Sequence, residues 1–219
     1  MRDLKRLIDL GVCAVASPVA LPLGAVIALV VRVTSGSPVL HRGRRIGLAG
    51  TNFEILKFRT MNLGMPGERI TAGSDRRVTA LGRWLRRTKL DELPQLINVA
   101  RGDMALVGPR PEDPAFARLF PAEYDVILTV RPGLTGPAAL AYRHEETLLK
   151  QAVQESGDDL ETIYVRDVLP RKVAMDLEYV NNHRLSTDFA ILASTVTAVL
   201  RRSTPDPKPL LTKAADGAR

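Results

Sequence analysis

The chain has 219 residues, 45% of them hydrophobic, and a formal charge of +7. That length buries a sizeable core in one compact unit, and the composition excludes both a disordered chain and a multi-span membrane protein. The positive balance points to anionic partners: nucleic acid, anionic lipid head groups or a phosphorylated substrate. Cys13 is the one cysteine, which excludes an internal disulfide, and with His41, His144 and His183 it makes no zinc-ligand spacing.

From Leu10 to Val31, "LGVCAVASPVALPLGAVIALVV" carries no charge and is long enough for a membrane-spanning helix. Ser17, Pro18 and Pro22 interrupt it, and proline removes a backbone donor and clashes with the preceding turn, so a break is expected there. Arg2, Lys5 and Arg6 precede the segment, and Arg32, His41, Arg42, Arg44 and Arg45 follow it. Cations at both ends favour a re-entrant hairpin that enters the membrane, turns at Ser17-Pro18 and leaves on the same side. A Pro-kinked spanning helix, a signal peptide cleaved near "AVA" at 14 to 16, and a buried core helix are the alternatives. The signal peptide is disfavoured because the apolar run continues well past that site.

Residues 52–61, "NFEILKFRTM", alternate as a strand that puts Phe53, Ile55, Lys57 and Arg59 on one face. A loop rich in Gly, Pro and Ser is expected over 62–75, then a basic helix over 76–87. Leu93, Leu96, Ile97 and Ala100 have the spacing of a buried helix face that ends at Gly102. "MALVG" reads as a short strand or turn, "VRPGLTGP" at 130–137 as a loop, 158–182 as a polar helix and 187–202 as an apolar helix with a basic end. The tail from Ser203 reads as disordered.

Within "RRTKLDELPQLINVARGD", two readings of Asp91 and Glu92 stand side by side. Thr88 and Asp91 fit a capping box with Thr88 as N-cap, in which case the carboxylates only favour the helix dipole. Starting the helix at Leu93-Pro94 removes the difficulty of a proline inside it. Lys57, Arg59, Arg86, Arg87 and Arg110 come from three segments that would converge around the carboxylates in the second reading, a mixture suited to a metal and a polyphosphate. Arg110 lies between Pro109 and Pro111, which restrict the backbone on both sides and favour a held, bidentate guanidinium. Lys57 and Arg59 fit equally the solvated face of an edge strand. No Walker-type loop, G-x-G-x-x-G or G-x-S-x-G is present.

"KRLIDL" at 5–10, Ser17-Pro18, "LKFRTM" at 56–61, "RRTKLDELPQLINVARGDMALVGPRPE" at 86–112 and "RPGLTG" at 131–136 together resemble the bacterial sugar transferase family, the monotopic polyprenyl-phosphate phosphoglycosyl transferases. The resemblance covers nearly everything from Lys5 to about Arg202. It implies transfer of a sugar phosphate from a UDP-sugar to polyprenyl (undecaprenyl) phosphate with release of UMP, with Mg2+ as cofactor. It further implies that Asp91 is the nucleophile and touches the metal, that Glu92 supports the metal or a proton transfer, and that Lys57, Arg59, Arg86 and Arg110 bind phosphate or substrate. After "RPGLTG" the chain has "PAALAYRHEETLL" where many relatives carry "AQVNGR"-like residues, which leaves the sugar undetermined.

The expected fold is α+β, mostly helical with a small sheet. Residues 1–34 form a re-entrant, Ser-Pro-broken membrane helix; 35–202 form a catalytic domain on the cytoplasmic face of the bacterial inner membrane; 203–219 form the tail. The resemblance suggests the family's minimal catalytic form, in contact with inner-membrane lipids, with homo-oligomerisation left open. A basic, hairpin-anchored adaptor that binds anionic lipid without catalysis is the rival reading, although it says nothing about Asp91 and Glu92. Nucleic acid is not an expected partner, because 5% aromatic residues and a long apolar segment argue against stacking or groove readout.

Overall fold

The computed structural model describes residues 2–64, 70–72 and 75–200. The expected tail at 203–219 lies outside them, as do Arg201 and Arg202 and part of the expected loop at 62–75.

The first element, α1 (Arg2–Ser35), is one continuous helix with Pro18 and Pro22 inside it. The expected division into helix, break and helix at Ser17-Pro18 is corrected accordingly. Pro18 has no N–H for the carbonyl of Ala14, four residues back. The Ser17 hydroxyl donates to that carbonyl at 2.8 Å and supplies the missing bond. At the usual helical rise α1 is roughly 50 Å long. Only 11% of its most apolar window is buried, with Val15, Val19, Leu21 and Leu29 exposed, so the buried-core alternative falls. Both ends of α1 nevertheless touch the rest of the molecule. Near the start, Lys5 pairs with Asp188, Arg6 donates to the carbonyls of Val99 and Ala100, and Asp9 accepts from the N–H of Leu106. Near the end, Ile27 and Val31 are buried against Phe58 and Leu85.

A hairpin follows, β1 (Leu40–Ile46) antiparallel to β2 (Asn52–Phe58), with Leu40 opposite Phe58 and Ile46 opposite Asn52. The expected strand over 52–61 therefore stops three residues early, and with it the alternation that set Lys57 and Arg59 on one face. The Arg59 guanidinium turns to the C-terminus of α1, where it donates to the carbonyls of Ser35, Gly36 and Ser37. A cation there satisfies carbonyls the helix leaves open and complements the negative end of its dipole.

The basic helix α2 (Ala80–Thr88) starts later than expected because Thr79 is its N-cap, accepting from the N–H of Gly82 at 2.9 Å. Gly82 lies so close to the Thr60 carbonyl that any Cβ there would collide with it. The helix ends at Lys89, which is left-handed (φ 59°), and Leu90–Glu92 form a single 3-10 turn before α3 (Gln95–Arg101). Thr88 is thus the last residue of α2, its hydroxyl bonded to the carbonyls of Trp84 and Leu85, and the capping-box reading is overturned. Pro94 stands immediately before α3, and Gly102 (φ 93°) closes it.

The short strand β3 (Ala105–Val107) leads to α4 (Pro114–Ala117) and α5 (Pro121–Ile127). Residues 130–137, expected as a loop, contain β4 (Gly133–Thr135), which runs parallel to β3 with Ala105 opposite Gly133 and Val107 opposite Thr135. Gly133 and Gly136 lack the side chains that would strike the backbone of Gly108, so the two strands close. The remaining elements are α6 (Pro137–Ala141), α7 (Glu145–Ser156), α8 (Leu160–Ile163), a π turn over Tyr164–Val168, α9 (Leu169–Asn181) and α10 (Leu185–Leu200). The polar helix expected over 158–182 is thus split by the π turn. One core cluster joins α4, α5 and α7 to α9 through Phe116, Ile127, Leu149, Ile163 and Leu169. A second joins β2, α3, β3 and α10 through Ile55, Val99, Met104, Val107 and Ile191.

Arg59→Met is expected to cost about 2 kcal/mol, the range of charge-assisted hydrogen bonds, because it strips the end of α1 of its donors. Chemical unfolding in detergent measures this, and an unchanged midpoint would remove the capping role.

Candidate active site

Glu92 is the centre of the site. Its Oε1 accepts from Lys57 Nζ at 2.9 Å and from Arg110 at 2.7 Å, so one carboxylate oxygen joins β2, the 90–92 turn and the Pro109–Pro111 segment. Burial works to raise the Glu92 carboxyl, but Arg110 and Lys57 outweigh it and hold the group well below the usual carboxylate range. Glu92 in turn raises the Arg110 guanidinium further above its ordinary value. Lys57 moves down, because burial takes more from its charged form than Glu92 returns.

Asp91 is buried at 6% exposure, and its Oδ1 has no hydrogen-bond partner. Burial pushes its carboxyl up, against the opposing fields of Lys57, Lys89 and Arg86. The adjacent acids are therefore driven apart: Glu92 is a firmly ionised counter-ion, whereas Asp91 is a more basic carboxylate with an oxygen to spare. Environments that separate neighbouring titrating groups in this way are characteristic of reactive sites.

Arg86 is held on α2 by two bonds, from Nε to the Thr60 hydroxyl at 2.9 Å and from its terminal nitrogen to Glu146 at 2.7 Å. Of the expected site residues, Lys57, Glu92 and Arg110 are in direct contact, Asp91 shares the turn of Glu92 and the field of Arg86 reaches Asp91. Arg59 is not brought to the cluster. Ser17 and Pro18 lie in the exposed middle of α1.

Sequence reasoning missed a buried polar face on α9. Lys172 donates to Glu145 at 3.1 Å and to the Tyr164 hydroxyl at 2.8 Å, while Tyr164 donates to Glu112 at 2.6 Å. The signal was present, because Leu169, Lys172, Val173, Asp176 and Tyr179 form one buried helical stripe with two charges on it. It also missed Asn98, which is fully buried and bonds the backbone of both Leu56 and Glu54, locking α3 to β2.

Among the described residues no group of three or more His, Cys, Asp or Glu side chains is arranged to hold a metal. The unpartnered Asp91 oxygen still fits one chemistry, that of magnesium, which binds through one or two carboxylates together with substrate phosphates and water. Glu92 fits a metal less well, since two cations already share its Oε1.

The site is thus an acidic turn ringed by held cations, in a chain that also carries an exposed apolar helix. The sequence profile of the bacterial sugar transferase family matches residues 1–202, and the chain belongs to that family, which makes it a transferase. It is 36% identical over 201 residues to a UDP-glucose:undecaprenyl-phosphate glucose-1-phosphate transferase of Caulobacter vibrioides, covering 90% of this chain and 69% of the relative. It is 37% identical over 201 residues to an undecaprenyl-phosphate glucose phosphotransferase of Komagataeibacter xylinus, covering 88% of this chain but 35% of that longer protein. The exopolysaccharide production protein ExoY of Sinorhizobium fredii is 31% identical over 214 residues, covering 89% and 84% respectively.

Opposite pKa shifts give opposite stability signs. Ionising Asp91 costs stability as pH rises from the ordinary carboxylate value of 3.8 through its raised one. Asp91→Asn is therefore expected to unfold at the same or a higher temperature than the parent at pH 8, and a clear loss would contradict the burial cost. Ionised Glu92 contributes stability in full above 4.5, lost as pH falls through its depressed value. Glu92→Gln leaves Lys57 and Arg110 without their counter-charge and is expected to cost about 3 kcal/mol at neutral pH. Unfolding curves across pH 3 to 8 test both, and an unchanged acid limb for Glu92→Gln would contradict the assignment.

Proposed function

We propose that the chain transfers a sugar 1-phosphate from a UDP-sugar to undecaprenyl phosphate, releasing UMP, through a covalent intermediate on Asp91. The observation that carries this is the buried, unpartnered Asp91 oxygen beside the Lys57–Glu92–Arg110 cluster. The named relatives support the reaction class and leave the sugar open.

The Asp91 carboxylate attacks the phosphorus that bears the sugar, and the bond from that phosphorus to the UMP oxygen breaks. A phosphate oxygen of the lipid acceptor then attacks the same phosphorus and frees Asp91. Two displacements through one nucleophile let a single small site serve a water-soluble donor and a membrane-bound acceptor in turn. Burial raises the basicity of Asp91 and with it the strength of the nucleophile. Arg110 and Arg86 lie where they offset pyrophosphate charge, and Glu92 keeps Arg110 and Lys57 directed at the site. Asp91 would hold a magnesium ion together with the substrate phosphates, and when bound the ion would supply further neutralisation of the diphosphate.

The membrane placement follows from α1. Its exposed apolar surface needs lipid, and its first and last turns both pack on the same folded body. Those contacts support a monotopic attachment, with the N-terminus and the catalytic body on one face, and the cations flanking the apolar run favour the cytoplasmic face of the bacterial inner membrane. The helix that makes those contacts runs through Ser17-Pro18 without interruption. A non-catalytic lipid adaptor would leave the burial of Asp91 and the cations around Glu92 without purpose.

UMP release from a panel of UDP-sugars, with undecaprenyl phosphate and magnesium, is expected for the parent chain and not for Asp91→Asn. Turnover by that variant would end the nucleophile assignment, and turnover unaffected by a chelator would end the magnesium requirement. Arg110→Lys is expected to weaken donor recognition by about 1 to 3 kcal/mol, and unchanged donor kinetics would count against it.

A further inference from the structure

Pro109 and Pro111 have no backbone N–H, so across Pro109–Arg110–Pro111 the N–H of Arg110 is the one main-chain donor. It points to Oδ2 of Asp176 on α9, at 3.3 Å. Asp176 is 5% exposed and its second oxygen, Oδ1, is buried without a partner. The backbone of Ala138, at the start of α6, favours the charged form of this carboxylate. Burial pushes the Asp176 carboxyl up to about 7, against the Arg110 N–H, Lys172 and the Ala138 backbone, while Glu112 adds to the rise. A carboxyl group is thus kept in the interior at a cost, facing the backbone of a residue whose side chain reaches the reactive cluster.

The other side of the loop is held from the same element. Glu112, two residues past Arg110, accepts from Tyr164, and Lys172 Nζ lies 3.6 Å from it. On an ideal α-helix Tyr164 would stand about 80° from Lys172, eight residues later. The π turn at 164–168 takes up that offset, so both side chains meet, with the Lys172 ammonium 4.9 Å from the Tyr164 ring centre. On the strand side, Pro109 O accepts from the N–H of Gly133 at 2.7 Å. The loop is thereby fixed at three successive points: residue 109 by β4, 110 by Asp176 and 112 by Tyr164 and Lys172.

We infer that Asp176 is a positioning residue for Arg110: by accepting its backbone N–H it orients the guanidinium toward Glu92 and the donor diphosphate. The inference rests on the proposed phosphate role of Arg110. Asp176 touches no reacting atom, and its contribution passes through Arg110 alone.

The test is a double-mutant cycle on the full chain, reading donor KM and kcat from UMP release with the UDP-sugar returned by the panel, alongside the unfolding midpoint. Asp176→Ala is expected to raise donor KM about tenfold, with a smaller change in kcat, the scale of one lost hydrogen bond that orients a charged group. In an Arg110→Ala background the same substitution is expected to add no further change. Asp176→Asn, which keeps an acceptor oxygen, is expected to hold donor KM within about twofold of the parent. A parental KM for Asp176→Ala, or a full additional penalty in the Arg110→Ala background, overturns the positioning role. Should Asp176→Ala fail to fold, Asp176→Asn decides: a near-parental KM supports the role of the acceptor, and a tenfold rise overturns it. A parental donor KM for Arg110→Ala itself would instead sink the phosphate role of Arg110, and the inference with it.

Discussion

The site depends on one carboxylate serving two cations. Among the described residues Glu92 is the one link that bonds both Lys57 on β2 and Arg110 on the proline-flanked loop. Both cations are partly buried, and neither would stay charged and inward-facing at little cost without that oxygen between them. Glu92 must be ionised for this, and the two cations ensure that it is. The triad maintains its own charge state and leaves a net positive field beside Asp91.

That field resolves a conflict at Asp91. A reactive carboxylate benefits from a dry setting that raises its basicity, yet dryness also favours its neutral form. Lys57, Lys89 and Arg86 pull the other way, so burial and charge are set against each other at the atom proposed to react. The unpartnered oxygen has the same origin: a hydrogen-bond donor placed there would ease burial and occupy the lone pair that chemistry needs. On the proposed role, activity and stability oppose one another at this residue, and the supporting cations limit the loss.

Arginines at helix ends tie the apolar helix to this arrangement. Arg59 meets the carbonyls of Ser35, Gly36 and Ser37 at the end of α1, and Arg6 meets those of Val99 and Ala100 near the end of α3, the helix that begins just after the acidic turn. An exposed apolar helix thus reaches within one short helix of the acidic turn. The body and the apolar helix are packed together, and the donor side and the lipid side of the proposed reaction share one rigid framework.

Local patterns in the sequence determined much of this. The uncharged run became α1, the apolar spacing after Pro94 became α3 with its Gly102 stop, and the acidic pair with Lys57, Arg86 and Arg110 was recognisable from residue type and order. Such features depend on near neighbours, through periodicity, backbone donors and left-handed glycine. Tertiary structure decided the rest, because those outcomes turn on partners far along the chain. The Arg59 guanidinium was drawn to carbonyls more than twenty residues earlier. "GLT" became a strand once the backbone of Gly108 lay beside it. Lys172 and Asp176 acquired meaning only when α9 was packed against a loop sixty residues before it. A charge on a helical stripe reads as solvated until the fold shows what covers it, since burial is a property of the packed chain and not of the residue.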